Sequence, residues 1–233
     1  MQVGIHIFQG HEPALKSSYI NVVIDVIRAF TVTQYAFMKG AEGILLAGSV
    51  EEAFKLKQKN PDYLLAGEVG GLPISGFDFD NSPANVFKAD LRNRYLIQKT
   101  TNGVTATLNS LDAEYVFVTG FSNARTTAEF IKNKLIGPAP DQLINIIASH
   151  PDGDDDLACA EYISGLLHGP RSCTGKEAAD RIVNSAAAQK FFDEAKPQFN
   201  PEDIDLCIKE RSSGFIMKVS YKDRIPMIER VSV

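Results

Sequence analysis

The chain has no tryptophan and only three cysteines, Cys159, Cys173 and Cys207, in 233 residues. Few, odd in number and without CxxC spacing, they argue against a zinc site and for a reduced, cytoplasmic setting. Cys159 is expected in a helix as a small apolar residue. No apolar run approaches the roughly 18 residues of a membrane span. The start, Met1-Gln2-Val3-Gly4-Ile5-His6-Ile7-Phe8, lacks the charged and long apolar regions of a signal peptide and reads as a first strand. Basic clusters are also missing, and the net charge is −5, which excludes the basic face of a nucleic-acid binder. No basic amphipathic stretch suits a membrane surface.

What is present is ordinary for an enzyme: 44% hydrophobic and 23% charged residues, enough for a sizeable core. The length fits one large α/β domain or two closely joined lobes. Apolar runs predict strands at 3–8, 20–26, 43–47, 63–66, 95–99, 115–119 and 143–148, several with little polar alternation, as in strands covered on both faces. Helix starts lie between them. Ser49 precedes Glu52 at capping-box spacing, Ser82-Pro83 and Asn200-Pro201 read as cap and first turn, and Ser122 is a candidate cap for 123–135. Residues 154–196 look almost entirely helical, and 214–233 reads as a return to strands. This alternation predicts a three-layer α/β/α fold with a mixed, mostly parallel sheet. If there are two lobes, their boundary lies near 137–141, at Gly137-Pro138-Ala139-Pro140.

Ligands of open α/β sheets sit beyond the carboxyl ends of strands, and four polar segments occupy such places. Asp25 ends an apolar run with Arg28 just after it, a carboxylate for a metal and a guanidinium for phosphate, or simply a structural pair. Gly67-Glu68-Val69-Gly70-Gly71 offers a lone carboxylate among backbone amides, or a flexible turn. Thr100-Thr101-Asn102-Gly103-Val104-Thr105 places hydroxyls and amides at a helix start, without the Lys-Ser/Thr ending of a P-loop; the plain alternative is a capped Asn-Gly turn. Asp152-Gly153-Asp154-Asp155-Asp156 opens a helix with more carboxylates than capping needs, so metal binding has weight.

Asp78-Phe79-Asp80-Asn81-Ser82 mimics the aspartyl nucleophile signature of haloacid-dehalogenase phosphatases, but Pro73 and Gly76 break the strand that signature requires. Asp78 and Asp80 are therefore expected in a loop. His6, His11, His150 and His168 have no ligand spacing.

In order along the chain, Val22-Val23-Ile24-Asp25-Val26-Ile27-Arg28-Ala29, Gly67-Glu68, Gly76-Phe77-Asp78-Phe79-Asp80-Asn81-Ser82-Pro83, Thr100-Thr101-Asn102-Gly103 and Asp155-Asp156-Leu157-Ala158-Cys159-Ala160 resemble the 2-phosphosulfolactate phosphatase family. The resemblance spans about residues 20–210. It implies a three-layer α/β fold and Mg²⁺-dependent hydrolysis of 2-phosphosulfolactate to 3-sulfolactate and phosphate, a step of coenzyme M biosynthesis. Val69 stands where the family usually has Arg, Val104 where it has Thr, Asp155 where it has Glu, and Ser149-His150-Pro151-Asp152-Gly153 where a Gly-Arg is common.

The resemblance and the chemistry of phosphomonoesters together nominate Asp25, Glu68, Asp155 and Asp156 as metal ligands, with Asp25, Arg28, Glu68 and Asp156 as the catalytic set. Thr101, Asn102 and Gly103 would hold phosphate oxygens, and Arg125 would meet a second anion of the substrate. The expected partner is a small anionic phosphate ester, with neither nucleic acid nor membrane, and a homodimer is the commonest assembly for such a chain. Two rival readings are a phosphatase of this fold for another phosphorylated acid and a non-catalytic anion-binding relative.

Overall fold

The computed structural model describes residues 3–11, 17–137, 142–169 and 173–233. Ten strands form one sheet: β1 (Gly4–Gln9), β2 (Ser18–Ile24), β3 (Gly43–Leu46), β4 (Leu64–Val69), β5 (Leu72–Pro73), β6 (Tyr95–Lys99), β7 (Ala113–Thr119), β8 (Leu143–Ala148), β9 (Phe215–Lys222) and β10 (Ile225–Ser232). Their order is β1-β8-β2-β7-β9-β10-β3-β6-β4-β5. The α-helices among the described residues are α1 (Ala29–Met38), α2 (Val50–Lys59), α3 (Pro83–Lys88), α4 (Gly103–Leu108), α5 (Ala124–Phe130), α6 (Asp154–His168), α7 (Gly175–Asn184), α8 (Ala186–Gln189) and α9 (Pro201–Cys207). None is long and apolar enough to cross a membrane.

The pairings divide the sheet into two parallel blocks, β1-β8-β2-β7 and β3-β6-β4. The antiparallel hairpin β9-β10 joins them, pairing antiparallel with β7 on one side and β3 on the other. Three successive reversals set the blocks running in opposite directions. A twist of about 20–25° per strand, roughly 100° over the five steps from β2 to β6, turns them toward each other. The loops after β2, β4, β6 and β8 therefore meet.

Side-chain alternation along the strands sorts the core into layers. Val23, Val118, Met217, Leu46, Leu96 and Ala66, drawn from both blocks and the hairpin between them, pack inward with α1, α3 and α4. Their neighbours Ile24, Phe117, Ile146 and Ile216 face outward under α5, α6 and α7, while Leu45, Leu65 and Ile97 face outward under α2. The sheet is thus the middle of three layers, and it wraps around α1, whose residues Ala29 to Phe37 are all buried.

Most elements follow the sequence reading, with differences at the ends. Ser49, Ser82 and Asn200 accept hydrogen bonds from the amides of Glu52, Asn85 and Glu202 at 3.1, 3.2 and 3.0 Å, as helix caps. Ser122 does not cap: it is buried, and its hydroxyl bonds Gln34. The stretch 154–196, expected to be almost entirely helical, is divided into α6, α7 and α8, with Ser185 capping α8. The lobe boundary expected near 137–141 lies, for 138–141, outside the described residues; β8, which follows it, pairs between β1 and β2. Cys159 is buried inside α6, as expected of a small apolar residue. Asp78 lies in a loop, accepting from the Leu65 amide at 2.8 Å and pairing with Lys57 at 3.6 Å, as its broken upstream run implied.

Gly67 is the tightest point of β4. Its φ is +145°, and a Cβ there would sit 1.8 Å from the Lys99 carbonyl oxygen of β6. Only glycine keeps β4 and β6 paired while turning Glu68 inward. Gly67→Ala is expected to destabilise the fold by on the order of 3 kcal/mol. A thermal melt would show it as a fall of roughly 6–12 °C; an unchanged melting temperature would disprove the steric reading.

Candidate active site

The convergent loops enclose a cavity of about 570 Å³. Its wall includes Asp25, Arg28, Glu68, Thr101, Asn102, Asp155 and Asp156, brought together from four separate segments. Gly103 and Arg125 are not on that wall.

Asp25 follows the last residue of β2. Its Oδ1 accepts from the Ala29 amide at 2.8 Å, and its Oδ2 from the Gly103 amide at 2.9 Å and Ser149 Oγ at 3.4 Å. The Gly103 amide, expected to hold phosphate, is thus committed to Asp25. Close approach is why residue 103 is glycine: a Cβ there would lie 2.5 Å from Asp25 Oδ2. Glu68 is likewise engaged. Its Oε1 accepts from the Thr101 amide at 2.6 Å, and its Oε2 from Thr101 Oγ1 at 3.0 Å and the Gly71 amide at 2.5 Å. The Thr101 turn therefore braces Glu68 instead of offering free donors.

The acidic run after β8 divides by helical rotation. Asp154 is exposed at the cavity's edge and bound to Arg181, with Nη2 2.5 Å away, and Asp152, also at the edge, pairs with His150 at 2.9 Å. Asp155 and Asp156 turn inward and are buried. Asp156 accepts from the Val26 amide at 2.7 Å, Ser149 Oγ at 2.9 Å and the His150 amide at 3.1 Å. Asp155 Oδ1 is buried with no hydrogen-bond partner.

Desolvation, opposed by the Ala29 amide and reinforced by Glu68 and Asp155, pushes Asp25 up to about 6. Desolvation pushes Asp155 up to about 6 as well. Asp156 rises well above the ordinary carboxylate range, through burial first and the charges of Asp155 and Asp25 next.

Two cations face these acids. Arg28 is buried, its Nη1 2.8 Å from Asp203 Oδ2, and its guanidinium lies 4.9 Å from the Phe191 ring centre. Asp203, at the start of α9, also accepts from Ser82 Oγ at 2.6 Å and the Ala84 amide at 3.1 Å. Lys190, just after α8, lines the cavity beside Phe191. Arg125, expected to meet a second anion, is half-exposed on α5 outside the cavity wall, paired with Glu210 at 3.2 Å and lying over the Tyr162 ring.

Lys190, Phe191, Asn81, His150 and the supporting Asp203 escaped the motif reading. Lys190 sits in an alanine-rich helical stretch without a pattern, and Asp203 looked like ordinary first-turn acid behind the Asn200-Pro201 helix start. Asn81 lies just before the Ser82 cap of α3, where an uncharged amide carries no signal of its own beside Asp78 and Asp80.

The residues suit the Mg²⁺ that the resemblance implies. Among the described residues no three His, Cys, Asp or Glu side chains form a closed metal group. Mg²⁺ does not need one: it usually keeps several waters and takes one or two carboxylates plus substrate phosphate. Asp155 Oδ1 and Asn81 Oδ1, both buried acceptors without partners on the cavity wall, are hard oxygen donors of that kind.

The 2-phosphosulpholactate phosphatase family model matches residues 5–222. The chain belongs to that family. It is 54% identical over 98% of its length, and 99% of the relative's, to a Bacillus subtilis protein named a probable 2-phosphosulfolactate phosphatase. A Clostridium perfringens (strain SM101) protein of the same name is 32% identical over 88% of this chain and 78% of its own.

The two valines that depart from the family pattern leave no gap in the cavity. Val104 is fully buried in α4 against the inner core. Val69 follows Glu68 in β4 and so faces the opposite way, 50% exposed.

Buried acids with raised pKa set the sign of the pH dependence. Between about pH 4 and 6 the native state binds protons that the unfolded chain has released, so stability falls as pH rises through that window. Exposed acids held low by partners, such as Asp90 beside Arg92, act in the opposite sense but only below their ordinary range. The metal-free melting temperature is therefore expected to drop by roughly 3–10 °C from pH 5 to pH 7.5. Asp155→Asn should flatten that drop and stabilise the protein at pH 7.5 by about 1–3 kcal/mol. A melting temperature that rises over this range, or Asp155→Asn destabilising at pH 7.5, contradicts the assignment.

Proposed function

We propose that this protein is a Mg²⁺-dependent phosphatase that hydrolyses 2-phosphosulfolactate, a phosphoric monoester, to 3-sulfolactate and phosphate. The observation that carries the reading is the buried trio Asp25, Asp155 and Asp156 facing Arg28 in one cavity of a chain that belongs to the family. Charge supports the metal. A cavity lined by several carboxylates repels a phosphate dianion, and only a cation between them makes the pair attractive.

Asp155 Oδ1 and Asn81 Oδ1 would hold the ion, with Asp25 and Asp156 adding negative charge to the same cavity wall. When bound, Mg²⁺ supplies neutralisation of the phosphate and activation of a water. Arg28 presents a guanidinium whose direction is set before substrate arrives, by Asp203 on one edge and Phe191 on one face. That fixed donor suits paired phosphate oxygens. Glu68 keeps the Gly71 and Thr101 loops closed on the cavity through its three accepted hydrogen bonds.

Phosphate release from 2-phosphosulfolactate, with Mg²⁺ and with EDTA, tests the reading. Activity is expected to vanish in EDTA, and Asp155→Asn is expected to lower kcat at least about 100-fold while the fold persists. Full turnover in EDTA, or in Asp155→Asn, would end the metal mechanism; hydrolysis of other phosphorylated hydroxyacids alone would end the substrate assignment. Val69→Arg, facing away from the cavity, is expected to change kcat/KM by less than about threefold, since a contact that is not made contributes nothing to transition-state binding. A tenfold gain would show that the strand end turns inward in the complex.

A further inference from the structure

We propose that Lys190 is the residue that selects substrates carrying a second anionic group, a carboxylate or sulfonate, beside the phosphate. The inference deepens the phosphatase reading and rests on it for the ester alone.

Of the two cavity cations, Arg28 already has its counter-ion in Asp203, buried at 2.8 Å. Lys190 has none: it makes no ion pair and no hydrogen bond with a described residue, though it lines the same wall. Its stem is nevertheless held. The ammonium lies 5.1 Å from the centre of the Phe199 ring and 5.8 Å from that of Phe191. A lysine fixed on aromatic faces has lost much of its rotamer freedom before any ligand arrives, so an ion pair formed there costs less ordering.

Gly71, φ +82°, shares the cavity wall with Lys190 and puts no side chain against it: a Cβ there would come into contact with Lys190 Nζ at 3.6 Å. The carboxylates whose charges reach Lys190, Asp155, Glu68 and Asp25, belong to the end of the cavity where the metal and phosphate would sit. Once that end is occupied by a cation and a phosphate, Lys190 is left as the unpaired positive charge. An uncharged substituent placed there would leave the ammonium half-buried and unmatched; an anion would pair with it.

Arg125 cannot serve instead, because it lies outside the cavity wall and is bound to Glu210.

Binding and turnover in the presence of Mg²⁺ test the proposal. The ligands are 3-sulfolactate, which has carboxylate and sulfonate without phosphate, and inorganic phosphate. Lys190→Met keeps the stem on the rings and removes the charge; Lys190→Arg keeps the charge. By titration calorimetry the native protein is expected to bind 3-sulfolactate. Lys190→Met should weaken that binding about 10- to 100-fold. Its effect on phosphate should be at least about tenfold smaller, and Lys190→Arg should stay within about fivefold of the native protein. In turnover, the ratio of kcat/KM for 2-phosphosulfolactate to that for phenyl phosphate should fall at least about tenfold in Lys190→Met. Equal losses for both ligands and both esters would make Lys190 a phosphate contact and overturn the proposal, as would native protein that fails to bind 3-sulfolactate or binding indifferent to Lys190→Met. Lys190-dependent binding of 3-sulfolactate in a protein that hydrolyses no ester would uphold this inference and sink the phosphatase reading alone.

Discussion

The carboxylate of Asp25 ties the two blocks of the sheet together at the cavity. It stands at the end of β2, in the first block, and accepts from Gly103 of α4, which follows β6 in the second. Its other oxygen takes the Ala29 amide, a donor that the start of α1 leaves without an intrahelical partner. Three elements that diverge from this point are thereby fixed by one acid. The blocks run in opposite directions, and their inner faces share α1 as a common core. Asp25 sits where that arrangement brings the carboxyl ends of both blocks together, so the geometry of the cavity follows from the geometry of the sheet.

The same burial that makes Asp25 a structural hub makes it electrostatically costly. Burial is the largest cause of the raised pKa of Asp25, Asp155 and Asp156; the charge of Asp155 also raises Asp25, and those of Asp155 and Asp25 raise Asp156. Backbone amides offset part of this at all three acids. Asp155 differs in that its Oδ1 is buried without a hydrogen-bond partner among the described residues. A fold selected only for stability would have an amide or an apolar group there, because an unsatisfied buried acceptor costs about 1–3 kcal/mol. An orphaned acceptor in a concave site fits the ion-binding role proposed for it.

The layers were legible because they depend on local pattern. Val22-Val23-Ile24 and Ile44-Leu45-Leu46 read as strands covered on both faces, and both are. The direction of the blocks was not legible, because it depends on where the C-terminal hairpin inserts, a pairing between residues about 100 to 180 positions apart. The acids of the site were visible as polar breaks after apolar runs. What each acid does was not: whether Glu68 points at a ligand or braces Thr101 is decided by the turn geometry of Gly70 and Gly71. Arg125 illustrates the converse failure. An arginine near a helix start looks like an anion receptor, but Glu210, 85 positions away, already holds it. Lys190 had no local signal whatever, since its role comes from the rings it lies on.

Arg28 connects these strands of reasoning. Its guanidinium is set by residues more than 160 positions further along: Asp203 from α9 and Phe191 after α8. A buried ion pair of this sort is weak support for stability, because desolving both charges offsets most of their attraction. Its use lies in direction. Asp203 is itself held by Ser82 Oγ and the Ala84 amide at the start of α3, so neither partner of Arg28 is free to turn. A guanidinium held this way needs no reorganisation when phosphate arrives, which is the condition under which a charged donor contributes most to a transition state. The segment from Ser185 to Cys207 therefore does more than cover the cavity. It supplies the counter-ion that aims one cation and carries the other, and the site is incomplete until that segment has folded onto the sheet.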